Sequence, residues 1–354
     1  MGKIEKLRRL GDSIVEITGE KLGFGWWLRL GWQAWKNRGL LSNYLDELEI
    51  DQKWKEELEG RIPLKPTFFS TAMRLLFENM GVKEAFESEA MAFVAYTFDE
   101  HIDRGCEQGG KVNEEINRAR KAFERGEWNY FYERMDEVLE GKEVNSAYKL
   151  LGDYVKFLKK KGVGDEMIKK LLGSLGDVLT GEVLINMETS FRPKQLGSFW
   201  DQIPESGNLK AYLSVVNPGV VMVGWQHAVE KNPNLEEVEI DEEKLKLAKV
   251  ASFLVRVSDD WGDKEEDRDN GSFNLLEEDL GKEFWGWLGE DFGELMEKIK
   301  TERRGEKVRN ELLEKLRNIG KDFNDEWSEA VIKIAYVAIG VGTEVNDRQF
   351  ANQK

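Results

Sequence analysis

The chain predicts an all-α fold, and three observations carry that reading. Six prolines in 354 residues leave long stretches free of helix breakers. Glu, Lys and Leu, all strong helix formers, are abundant. No stretch alternates apolar and polar residues over a useful strand length. With no internal repeat and no low-complexity linker, residues 1–354 read as one domain, long enough for a sizeable core.

Taken in order, residues 1–40 read as two helices broken near Gly23 and Gly25. The second carries Trp26, Trp27, Trp32 and Trp35 together with Arg29 and Lys36. That composition suits a helix packed on the body, or one lying in a bilayer surface, where Trp and basic residues concentrate. Residues 42–59 read as a charged amphipathic helix, so residues 1–60 form an N-terminal helical section with a peripheral or interfacial alternative. A turn rich in Pro and Gly follows, then helices over 67–80 and 83–104, the latter stopped by Gly105 and the Gly109–Gly110 pair. Residues 113–161 hold two or three charged helices, and 164–190 another, with Gly173, Gly176 and Gly181 spaced along it for close helix contact or a kink. The helix over 208–230 contains Asn217, Pro218 and Gly219, which bend or break it. Helices over 242–268, 281–303, 306–319 and 322–346 complete the chain.

Bulk charge narrows the function. Asp and Glu number 68 against 52 Lys and Arg, a net charge of −16, so a nucleic-acid backbone is not the expected partner. Cys106 is the single cysteine, which excludes an intramolecular disulfide and points to a reducing compartment. Two histidines, His101 and His227, leave little scope for histidine-based metal or triad chemistry. No signal peptide and no apolar run of about 18 residues is present. The expected location is the cytoplasm, with membrane-peripheral contact as the alternative.

The chemistry concentrates in two acidic stretches. Asp259, Asp263 and Asp267 recur every four residues, directly after the apolar run from Val250 to Val255. On a helix such positions share one face and would rise about 12 Å along the axis, at ~1.5 Å per residue. A lone acidic face is usually solvated, but this one emerges from an apolar segment and extends to three carboxylates. Carboxylates are hard oxygen ligands, so a magnesium site is the first hypothesis. A calcium loop starting at Asp267 fails, because its glycine falls fifth rather than sixth. The second stretch has Asp99 and Asp103 at the end of another apolar helix. Acids there oppose the helix dipole, which favours a functional reason for them.

Together these stretches resemble those of the class I isoprenoid (terpene) synthase superfamily. Asp99 and Asp103 match its aspartate-rich motif, and Asp259, Asp263 and Asp267 match positions one, five and nine of its second motif. The all-Asp second motif departs from the Asn, Ser or Thr, and Glu of many terpene cyclases. The run from Asp263 to Arg268, followed by Gly271, Ser272, Phe273 and Asn274, is most similar to large-terpene synthases of the tetraprenyl-β-curcumene synthase kind, and nearly as similar to squalene and phytoene synthases. Strong similarity covers about thirty residues, with a compatible helix order elsewhere.

The resemblance implies a helical bundle with a central active-site cavity, three Mg2+ ions held by the five aspartates, and a linear prenyl diphosphate as substrate. Arg104, Lys264, Arg268 and Arg348 are the expected diphosphate donors. Ala92, Phe93, Tyr96, Ser252, Val255 and Trp225 are the expected lining of an apolar pocket, where aromatic faces stabilise a carbocation. The alternatives are a head-to-head or chain-elongating prenyl synthase, and a non-catalytic helical lipid-binding protein. Whether the two acidic helix ends face each other across one cavity is the structural question.

Overall fold

The computed structural model describes residues 32, 36, 39–50, 52, 66–86, 89–103, 110–142, 145–187, 203–216, 218–235 and 240–345. Among them every regular element is helical, as expected, and no strand occurs. Residues 39–47 are helical and lead the described part. The labelled helices are α1 (Pro66–Asn79), α2 (Ala90–Asp103), α3 (Lys111–Glu124), α4 (Tyr130–Glu140), α5 (Lys149–Lys160), α6 (Asp165–Ile185), α7 (Leu209–Val216), α8 (Val220–Lys231), α9 (Glu242–Asn270), α10 (Gly281–Leu288), α11 (Gly293–Thr301), α12 (Gly305–Gly320) and α13 (Glu326–Val345).

Three boundaries differ from the expectations. The helix expected over 42–59 is interrupted after Glu47, because Leu48 and Glu49 turn and Glu49 takes a positive φ of 54°; of residues 51–59 only Gln52 is described, and it is helical. The helix expected over 83–104 starts only at Ala90, where the buried Glu89 carboxylate accepts the Ala92 N–H at 2.7 Å and caps the new helix. The helix expected over 281–303 is two helices, separated at Gly289, whose φ of 83° closes α10 in the left-handed region. The break foreseen around Pro218 is real: α7 stops at Val216, and α8 restarts at Val220 behind Gly219, which has φ 63°.

One contiguous apolar core runs through these helices, from Leu41 to Ile339. Helix α9 is its longest member, and the segment from Leu247 to Leu254 is buried on every side. Its main partner is α13, which also packs on α8 and α12. The approach of α13 is close beside the acidic ladder: a Cβ on Gly342 would sit 2.7 Å from Ser258 Oγ and 3.2 Å from the Asp259 backbone nitrogen. Helix α6 packs against α2, α4, α7 and α8, while α7 and α8 also pack on α9. The helices bearing the two acidic stretches are therefore linked through α6 and the broken pair α7–α8, rather than by extensive packing on each other.

Candidate functional site

Helix α9 leaves the core as it reaches the ladder. Asp259 is exposed, and Asp263 and Asp267 are half-buried, along the single face that their spacing dictates. The neighbouring stripe, Asp260, Lys264 and Arg268, is used differently. Asp260 is buried; its Oδ1 lies 2.7 Å from Arg256 Nε, and its Oδ2 accepts the Leu275 N–H at 2.5 Å. Burial pushes the Asp260 carboxyl up, against the opposing pull of Arg256. Arg256 also stands 3.7 Å from Asp259 Oδ2, and despite burial the surrounding acids hold it firmly charged.

Lys264 donates to the Lys300 carbonyl at 2.9 Å, and the Trp261 indole donates to the Glu302 carbonyl at 3.0 Å. Both bonds satisfy carbonyls at the end of α11, which a helix terminus leaves open. Lys264 thus caps a neighbouring helix. Arg268 pairs with Glu277 at 2.8 Å on the surface.

The loop after α9 folds back on the ladder. Gly271 closes the helix in the left-handed region at φ 67°, and the Ser272 N–H bonds the Asp267 carbonyl at 2.9 Å. That return brings the buried Asn274 amide to two acceptors, the Asp260 carbonyl and Asp267 Oδ2, each at 2.8 Å. The stretch from Gly271 to Asn274 is a cap and a latch in one.

The other acidic stretch lies at the end of α2. Asp99 is half-buried, and Asp103 is the last residue of the helix. The side chain of Asp103, and all of Arg104 and Arg348, lie outside the described residues. The buried His101 ring, in the last turn, bonds Asn113 of α3 through Nδ1 and anchors this terminus. Among the α2 side chains described, Ala95, Tyr96 and Asp99 are half-buried while the others are buried, and these three share one face. On α6, Val178, Glu182 and Ile185 are buried, as is Val255 on α9, while Arg256 is half-buried. The Glu182 charge acts on Arg256, so the end of α6 faces the start of the ladder.

The expected pocket residues divide. Ala92, Ser252 and Val255 lie one or two turns below the acids on the same helix faces and are buried, and Tyr96, one turn before Asp99, is half-buried. Phe93 meets the Tyr44 ring edge-on, 5.7 Å between centroids, and Trp225 packs on Trp327 at 6.1 Å. Those two rings fill the core between helices. The structural role of Asn274, Glu182 and His101 was not foreseen. Of these, Asn274 alone had a local signal, its place just beyond the glycine that ends α9.

Among the described residues, no group of three or more His, Cys, Asp or Glu is placed to hold a metal ion by itself. That does not conflict with Mg2+, which typically takes one or two carboxylates and completes its shell with water and substrate phosphate. The ladder supplies hard oxygen donors of that kind, water-accessible and on one face. No described helix is long and apolar enough to cross a membrane, and the tryptophan-rich segment expected at an interface lies outside the described residues except for Trp32 and Lys36, both exposed. Comparison with protein-family models, with curated proteins and with solved structures returns no match.

Proposed function

We propose that the chain is a magnesium-dependent class I terpene synthase that ionises a long linear prenyl diphosphate to a cyclic or linear hydrocarbon and diphosphate. The observation that carries this reading is the division of labour on α9. Asp260 and Lys264 are committed to internal ties, while Asp259, Asp263 and Asp267 line one accessible face, with Asp267 held by a neutral amide. A purely solvated acidic face has no need of a buried latch behind it.

In this reading Asp259, Asp263 and Asp267 hold Mg2+ from one side, and Asp99 with Asp103 from the other. Bound Mg2+ neutralises the charge that develops on the departing diphosphate. Arg268 lies on the outer end of the ladder and adds hydrogen bonds to diphosphate oxygens, with Arg104 and Arg348 as further donors. Below the acids the faces of α2 and α9 turn apolar, at Ala92, Tyr96, Ser252 and Val255. They receive the hydrocarbon chain and keep water from the cation. Small side chains at Ala92 and Ser252 leave room for a long chain. The reading calls for a bundle of the isoprenoid-synthase kind, with substrate received between α2, α6 and α9.

The test is turnover of geranyl, farnesyl, geranylgeranyl and longer prenyl diphosphates, with and without Mg2+. Magnesium-dependent release of one hydrocarbon and diphosphate supports the reading. A dimeric product assigns head-to-head coupling instead, and a longer diphosphate assigns chain elongation. Tight binding of prenyl chains without turnover rejects an enzyme in favour of a lipid-binding protein.

A further inference from the structure

We infer that Asn274 is a positioning residue for the metal site: it fixes the Asp267 carboxylate, and through it the affinity of the ladder for a divalent cation with diphosphate. The inference rests on the diphosphate reading above. Asp267 is placed where a carboxylate is hardest to hold, in the last turn of α9, three residues before the helix ends at Asn270. Terminal turns fray, and a half-buried aspartate there has rotamers to choose from.

Asn274 removes that freedom by a short chain of bonds. Its Nδ2 donates to Asp267 Oδ2 at 2.8 Å and to the Asp260 carbonyl at 2.8 Å, two turns further into the helix. Its Oδ1 accepts the Leu276 N–H at 3.1 Å, and the adjacent Leu275 N–H is held by Asp260 Oδ2 at 2.5 Å. Asn274 itself is 4% exposed. The amide therefore transmits the rigidity of the buried part of α9 to its outermost acid.

The choice of side chain has a chemical logic. A lysine or arginine in this place would also hold Asp267, but would cancel the charge that attracts a cation. A neutral amide donor restrains the carboxylate without adding a positive charge beside it. Removing such an outer partner from a metal-ligating carboxylate typically costs 10–100-fold in metal affinity.

The experiment is calorimetric titration of the full chain with Mg2+ in the presence of inorganic diphosphate, comparing wild type, Asn274→Leu, Asp267→Ala and the double variant. Asn274→Ser, whose hydroxyl is too short to span both acceptors, is measured alongside in case the leucine prevents folding. Asn274→Leu or Asn274→Ser is expected to weaken binding about tenfold. In the Asp267→Ala background the same change is expected to add less than about twofold, because the path through Asp267 is already gone. Wild-type binding by both Asn274 variants overturns the inference. So does an equal loss in both backgrounds, which would make Asn274 a plain loop tie. If wild type itself binds no Mg2+ with diphosphate, the diphosphate reading fails and this inference with it; the two failures are distinguishable by that one titration.

Discussion

Two populations of carboxylates in this bundle behave in opposite ways. Asp259, Asp263 and Asp267 sit where α9 leaves the core, with access to water along one face. Glu89, Asp177 and Glu230 are sealed inside the bundle. Glu230 accepts bonds from Tyr154 at 2.6 Å and from Gln226 at 3.0 Å, and Glu89 caps α2 beside them. Asp177 accepts the Tyr132 hydroxyl at 2.7 Å, and its other oxygen has no hydrogen-bond partner among the described residues. Burial pushes Glu89 and Asp177 each up to about 8 and raises Glu230 as well. The Arg74 charge only partly offsets the effect on Glu230. The contrast teaches that acidity alone marks no site here. Burial pushes the sealed acids towards the protonated form, in which they tie helices together, whereas the ladder acids stand open to water along one face.

The largest effect that would break this comparison is on catalysis. Asp263→Ala and Asp99→Ala are each expected to lower turnover of a prenyl diphosphate by about 10²–10³-fold or more, as loss of transition-state charge stabilisation does. Thermal melting should be unchanged or slightly raised, because clustered acids repel one another without metal. The measurement is diphosphate release together with a melting curve. Wild-type turnover in either variant would return the ladder to the status of a solvated face.

The sealed acids answer to pH. Their pKa in the folded chain lies above the unfolded value, so the folded state keeps protons that the unfolded state gives up. The stabilisation they provide is complete below the unfolded pKa and disappears as pH climbs to the folded one. For Asp177 the window runs from 3.8 to about 8, and for Glu89 from 4.5 to about 8. Urea unfolding at a series of pH values is expected to show this contribution declining across that range. Asp177→Asn, which keeps the shape and removes the ionisation, is expected to unfold later than wild type at pH 9 by more than about 1 kcal/mol, roughly the worth of one pKa unit. An unchanged pH profile in that variant would mean that Asp177 is not protonated in the folded chain.

How much of this could be read in advance follows from how local each cause is. The ladder was legible, because spacing of four residues puts side chains on one helix face whatever surrounds it. The end of α9 was legible as well, since Gly271 marks it. The shortening of α2 was not, because its cap is Glu89, a residue that rarely caps helices and does so here from a buried position between α2 and α8. The interruption after Glu47 was hidden for a similar reason: Glu49 adopts a positive φ without the glycine that usually announces one. Nor could spacing show which stripe of α9 would meet neighbours. That depends on α11 ending beside Lys264 and on the loop carrying Asn274 back to Asp267, both products of tertiary packing. The sealed pair Glu89 and Glu230 was invisible because its members lie far apart in the chain.

The smallest expected effect probes the boundary between the two stripes of α9. Lys264 is one residue beyond Asp263, and its sequence context offers it as a diphosphate donor, yet its ammonium group is engaged with the Lys300 carbonyl. Lys264→Met keeps most of the aliphatic stem and removes that bond. Its expected cost is about 0.5–1.5 kcal/mol in stability, the usual net worth of one such hydrogen bond. Turnover and the KM for the diphosphate should stay within about twofold of wild type, since the stem that packs against α11 is retained. Urea unfolding reads the first quantity and initial rates the second. A rise in KM of tenfold or more with unchanged stability would mean that the ammonium leaves α11 for the diphosphate when substrate binds. The line between the internal stripe and the working face would then run beyond Lys264, leaving Asp260 as the purely structural member.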